Sequence, residues 1–111
     1  MDIYTDGSGK TGKYIYAIPE KKKVVISRLN GITNNEAEYM AVVKALRENK
    51  GNNIKIISDS QLIVNQLNKN YKIKEDRMRK FAMKIWKLCE GRKVSFTWVP
   101  REKNLAGRIL G

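Results

Sequence analysis

The chain reads as an α/β domain: a five-stranded mixed β-sheet, three strands in an antiparallel meander and two parallel, flanked by helices. Three observations predict this. Short β-branched and aromatic runs, separated by glycine and proline, crowd the first thirty residues. Segments of helical period follow, and two further apolar runs are interleaved with them. A length of 111 residues suits one domain over 1–111, and 41% hydrophobic with 31% charged residues is ordinary for a globular fold.

Ile3–Thr5, Lys13–Ile18 and Val24–Leu29 are the meander strands, with Gly7-Ser8-Gly9, Gly12 and Pro19-Glu20 supplying the turns. Thr33-Asn34-Asn35-Glu36 is a capping-box pattern, in which Thr33 caps the helix and Glu36 reaches back to the free amide. Good helix formers run from Ala37 to Asn49, and Gly51 beyond them is a stop signal. Ile54–Ser58 is a fourth strand, parallel to the strand before the helix through a right-handed crossover. Ser60 caps a short helix whose apolar face includes Leu62, Ile63 and Leu67. Glu75–Glu90 is a third helix, with Met78, Phe81, Ile85 and Leu88 on one face. Gly91 ends it, Val94–Val99 is the fifth strand, and Arg101–Gly111 forms a loop and at most two helical turns.

Composition narrows the chemistry. The absence of histidine removes serine–histidine and cysteine–histidine catalysis and the usual zinc sites. Cys89 is the only cysteine, so an internal disulfide is excluded; it reads as a small helix residue, and a lone thiol is compatible with a reducing compartment. No apolar run is long enough to span a bilayer, and Met1-Asp2-Ile3-Tyr4 is unlike a secretory signal, so a cytoplasmic protein without membrane contact is expected. With 23 Lys and Arg against 11 Asp and Glu, the formal charge is +12. That excess favours a polyanionic partner, although a lysine-rich proteome would produce it too.

Three acids stand where structural acids are least expected. Asp6 ends the first strand, Asp59 ends the fourth, and Glu38 sits one turn into the first helix. In α/β sheets, functional groups gather at the carboxyl ends of strands and at neighbouring helix N-termini. Adjacent parallel strands one and four would crowd these carboxylates, which repel one another unless a divalent cation lies between them. Magnesium favours carboxylates, water and phosphate oxygens, and two such ions can clamp a phosphodiester. Taken singly, Asp59 is a helix cap, Asp6 a turn residue and Glu38 a surface ion-pair partner; taken together, a metal set is the stronger reading.

Four strings, Ile3-Tyr4-Thr5-Asp6-Gly7-Ser8, Thr33-Asn34-Asn35-Glu36-Ala37-Glu38-Tyr39, Ser58-Asp59-Ser60-Gln61 and Trp98-Val99-Pro100-Arg101-Glu102-Lys103-Asn104, resemble ribonuclease H type 1 in order and spacing. The resemblance implies a magnesium- or manganese-dependent endonuclease, with two ions, that hydrolyses the RNA strand of RNA/DNA hybrids. Asp6, Glu38 and Asp59 match three of the family's four metal-binding carboxylates. Gly7, Ser8 and Asn35 lie where the family contacts the RNA strand and its 2′-hydroxyls. Thr33 and Asn34 match positions near a DNA phosphate and the minor groove, and Gln61 matches a polar residue facing the RNA. Helix capping is a complete alternative for Thr33, Asn34 and Asn35.

The pattern breaks at its end. The fourth carboxylate falls at Gly107 when the alanines are matched and at Arg108 when no gap is allowed; neither is an acid, and Glu102 is the only acid nearby. The loop histidine of many members is absent, and the last helix is missing or a stub. Two alternatives therefore stand beside the enzyme: a catalytically impaired module binding hybrid or double-stranded RNA, and a related nuclease acting on double-stranded RNA. The stretch Lys69–Lys93, with ten Lys or Arg and three acids, offers a basic side to a phosphate backbone. A monomer is expected, or a dimer that covers apolar surface left by the shortened last helix.

Overall fold

The computed structural model describes residues 1–110. Strands β1 (Asp2–Gly7), β2 (Lys13–Ile18) and β3 (Lys23–Arg28) form the antiparallel meander. Helix α1 (Asn34–Glu48) leads to β4 (Ile54–Ser58), α2 (Gln61–Leu67), α3 (Asp76–Leu88), β5 (Val94–Trp98) and the short α4 (Leu105–Leu110). The sheet order is β3-β2-β1-β4-β5, with β1–β4 and β4–β5 parallel. This is the mixed five-stranded sheet expected, with strands one and four adjacent. Gly111, the last residue of the C-terminal loop-and-helix segment, lies outside the described residues.

Alternation along the strands divides the sheet into two faces. Ile3, Tyr16, Ile18, Ile54 and Ile56 join Tyr39, Val42 and Leu46 of α1 and Met78, Ala82 and Ile85 of α3 in one core. Phe81 stacks on Tyr39 with ring centroids 5.9 Å apart, so the apolar face of α3 docks on α1 as its period predicts. The opposite parity of β2, Ile15 and Ala17, is also buried, where α4 packs on β1 and β2. Beyond α4 the cover stops: Val24 and Ile26 of β3, at 48% and 55%, are exposed.

Helix α1 starts three residues earlier than its run of strong formers, because the cap itself is built as read. Thr33 Oγ1 accepts from the Glu36 amide at 3.1 Å, and Glu36 Oε1 accepts from the Thr33 amide at 2.9 Å. Arg77 of α3 adds an ion pair to Glu36 at 3.1 Å. Gly7 lets this helix approach: a Cβ there would lie 2.6 Å from the Glu38 amide nitrogen. The close contact lowers the first turn of α1, and with it Glu38, onto the end of β1. Among the described residues, no helix is long and apolar enough to cross a membrane.

Candidate metal centre

Asp6, Glu38 and Asp59 converge at the carboxyl ends of β1 and β4, each offering a carboxylate oxygen within 4.8 Å of the others. Asp6 is carried by β1 and is 1% exposed. Asp59 follows β4 directly, its position held by two neighbours: Ser58 Oγ accepts from the Ser60 amide at 3.0 Å, and Trp98 Nε1 donates to the Asp59 carbonyl at 3.1 Å. Ser60 then caps α2 as expected, accepting from the Ile63 amide.

The cluster is electrostatically unfavourable by itself. Asp6 Oδ1 and Glu38 Oε1 are buried with no donor from the protein. Burial first, and then the charges of Asp6 and Asp59, push the Glu38 carboxyl from its ordinary 4.5 up to about 9. Asp6 is raised by the same causes, burial ahead of the Asp59 charge, against a lowering by Arg101 and the Gly7 amide. Such orphaned, buried, all-oxygen donors are the set a hard divalent ion takes, so the residues present fit magnesium or manganese.

The C-terminal segment contributes what sequence reading assigned no role. Arg101 Nη1 donates to Asp6 Oδ2 and to Asp59 Oδ2, both at 3.1 Å. Asn104, fully buried, donates from Nδ2 to the Thr5 carbonyl at 2.9 Å and to Asp59 Oδ1 at 3.0 Å, while its Oδ1 accepts from the Ala106 amide at the start of α4. A side chain at position 107 would point into the cluster, since a Cβ there would be 3.3 Å from Asp6 Oδ2. Arg108 turns away and donates to the Glu102 carbonyl at 2.8 Å. Of the two positions left open for a fourth acid, Gly107 is therefore the one that faces the site, and exposed Glu102 stands outside the cluster.

The expected substrate-binding residues divide by what their side chains already do. A cleft of about 440 Å³ beside the cluster is lined by Asp6, Gly7, Ser8, Asn34, Glu38 and Arg101. Asn34 Oδ1 accepts from the Gly9 amide at 2.6 Å and so ties α1 to the β1–β2 turn. Thr33 is engaged in the capping box and Asn34 in this tie, so for both the structural role is realised. Asn35, half-buried on the first turn of α1, takes no part in those bonds. Gln61 is exposed at the start of α2, two residues beyond Asp59. Along α3 the lysines Lys80, Lys84 and Lys87 are exposed, as the basic-side reading expects, and Lys69 lies over the Trp86 ring at 4.9 Å. Cys89 is half-buried at the end of α3, where burial pushes its thiol up, away from reactivity.

The sequence profile of the family described as RNase H matches residues 1–107. The Pol polyprotein of equine infectious anemia virus (isolate 1369) is 28% identical over 111 residues, covering 99% of this chain. The chain spans only 10% of that polyprotein. Among solved structures, LC11-RNase H1 in complex with an RNA/DNA hybrid is 26% identical, covers 99% of both chains, and superposes with a TM-score of 0.78. RNase H1 from the halophilic archaeon Halobacterium salinarum superposes with a TM-score of 0.81 at 24% identity, covering 98% of this chain and 92% of its own.

Proposed function

Since the chain belongs to the ribonuclease H family, we propose that it is a divalent-metal-dependent endonuclease that hydrolyses the RNA strand of RNA/DNA hybrids. The observation that carries this reading is the pair of buried carboxylate oxygens, Asp6 Oδ1 and Glu38 Oε1, left without a donor beside Asp59. A binding module has no use for such mutually repelling acids, whereas a metal-dependent hydrolase requires them. Asp6, Glu38 and Asp59 would hold at least one magnesium or manganese ion; bound there, the metal would supply a more acidic water and neutralise charge on the scissile phosphate.

The remaining roles belong to the chain's own groups. Asn104 orients Asp59 by donating to its Oδ1. Gly7 and Ser8 in the cleft, with Asn35 on the first turn of α1, receive the RNA strand, where a 2′-hydroxyl can act as both donor and acceptor. Thr33 and Asn34 meet the DNA strand through the exposed end of α1, the Thr33 cap and the Asn34 tie to Gly9 fixing the backbone that does so. Gln61 lies on the RNA side. The exposed lysines of α3 follow the phosphate backbone and make binding salt-dependent.

A second reading is favoured by Gly107, which offers no carboxylate, and by Arg101, which is bonded to two of the three acids. In that reading the domain binds hybrid or double-stranded RNA with little turnover. The two separate in one assay with labelled RNA/DNA hybrid, duplex RNA and duplex DNA, in magnesium and in manganese, beside Asp59→Asn. The enzyme reading expects hybrid cleavage that Asp59→Asn abolishes. Tight hybrid binding without cleavage in either metal would leave the binding module, and cleavage of duplex RNA would widen the substrate class.

A further inference from the structure

The two oxygens of Asp6 face different surroundings. Oδ1 is orphaned beside Glu38 Oε1, whereas Oδ2 accepts from the Arg101 guanidinium. We propose that Arg101 is a tethered cation standing where a second metal ion would otherwise sit, so that this chain works with one divalent ion. The inference rests on the reading above, that Asp6, Glu38 and Asp59 hold metal for hybrid hydrolysis.

Geometry places Arg101 on the flank that lacks an acid. Its Nη1 bridges Asp6 Oδ2 and Asp59 Oδ2, each at 3.1 Å. A Cβ at Gly107 would meet that same Asp6 oxygen at 3.3 Å and the Arg101 guanidinium carbon at 3.5 Å. A carboxylate at 107 and the guanidinium therefore share one flank, and in this chain the guanidinium has it alone. Arg101 satisfies Asp6 Oδ2 and Asp59 Oδ2, while Asp6 Oδ1 and Glu38 Oε1 keep no donor and still ask for a cation.

Charge points the same way. Three carboxylates and one guanidinium sum to −2, which one divalent ion neutralises and a second would reverse. Arg108 does not compete for the position, because it is bonded to the Glu102 carbonyl. The loop is also pre-set: Arg101 opens a tight turn, Arg101–Lys103, that Asn104 anchors to the Thr5 carbonyl and to Asp59. A guanidinium stays charged at any working pH and carries five donors. With the side chain 59% exposed, its remaining N–H groups are open to a phosphate oxygen.

The test counts ions. Manganese is titrated, with free Mn²⁺ followed by electron paramagnetic resonance, into the full chain bound to a hybrid made uncleavable by 2′-fluoro sugars in its RNA strand. The hybrid's own ions are subtracted. The wild-type complex is expected to hold one site-bound Mn²⁺, and the double variant Arg101→Gln/Gly107→Asp to hold two. Arg101→Gln alone should bind its ion about tenfold more tightly, because a charge next to two of the ligands has gone. At saturating Mn²⁺ it should cleave hybrid about 10²–10³-fold more slowly, a typical loss for one preorganised donor. Arg101→Lys should keep the count at one. Two ions in the cleaving wild type, or an unchanged Mn²⁺ affinity and count in Arg101→Gln, would overturn the inference while leaving the nuclease intact. A wild type that neither binds Mn²⁺ nor cleaves would overturn both. Equal melting temperatures of wild type and Arg101→Gln would show that folding is not what changed.

Discussion

The two sides of the acidic cluster are built by opposite means. On one side, β1, β4 and the first turn of α1 hold Asp6, Asp59 and Glu38 by regular backbone geometry, and bury two carboxylate oxygens without donors. On the other, a loop after β5 brings Arg101 and Asn104 from far along the chain to satisfy what the first side leaves open. The first side stores electrostatic repulsion and the second relieves part of it. Function on the first side therefore has a stability cost, whereas on the second side Asn104 should be costly to remove for stability and Arg101 for activity.

Breaking the first side has the largest expected effect. Glu38→Gln removes a proposed metal ligand and should lower hybrid cleavage by about two to three orders of magnitude, the scale of a several-kcal/mol loss of metal-borne stabilisation. The checking measurement is the single-turnover rate at saturating Mn²⁺. The same variant should be no less stable than the wild type when metal-free, and that asymmetry distinguishes a site acid from a structural one.

Breaking the second side comes next. Asn104→Ala removes the bonds to the Thr5 carbonyl and Asp59 and leaves buried polar groups unpaired, at a cost of about 2–4 kcal/mol in urea denaturation. Arg101→Gln, by contrast, should leave stability within about 1 kcal/mol, because its guanidinium is largely exposed.

The repulsion itself can be read by pH. Glu38 titrates near 9 in the folded, metal-free protein and near its ordinary 4.5 when unfolded, and Asp6 is shifted in the same direction. The folded state thus binds more protons between those values. Its stability from this pair is full below pH 4.5 and is lost as pH rises towards 9. Melting temperatures in a chelator should fall across that window, and the fall should flatten in Glu38→Gln and in saturating Mn²⁺.

The smallest effect belongs to the cap. Thr33→Ala should cost about 1 kcal/mol of stability through the capping box. If Thr33 also meets the DNA strand through its side chain, hybrid affinity should drop in this variant beyond what the stability loss explains, as read by fluorescence anisotropy at fixed salt.

The difference between the two sides also explains which parts were legible in sequence. Thr33 and Glu36 announce α1 because a capping box is local, closed within four residues. Asp6, Glu38 and Asp59 are legible as a set because strand ends and a helix start are periodic features, and sheet topology brings them together. Arg101 is invisible in that sense: its contact with Asp6 spans 95 residues and depends on where a loop lands. Asn104 belonged to a recognisable string, yet its burial and its three bonds follow only from the fold. The choice between Gly107 and Arg108 likewise needed the direction in which α4 leaves the loop. Thr33 and Asn34 show the converse, positions whose family match is clear and whose side chains are already engaged in holding α1 in place.

The most direct test of the central claim, that the three acids hold a divalent ion on the orphaned flank, is a crystal of the protein soaked in manganese and measured at an anomalous-scattering wavelength. The account predicts a peak about 2.0–2.3 Å from Asp6 Oδ1 and Glu38 Oε1, with Asp59 near it and Arg101 still paired with Asp6 Oδ2. A cluster that attracts no ion, or an ion that displaces Arg101 and leaves Glu38 protonated and unligated, would contradict it.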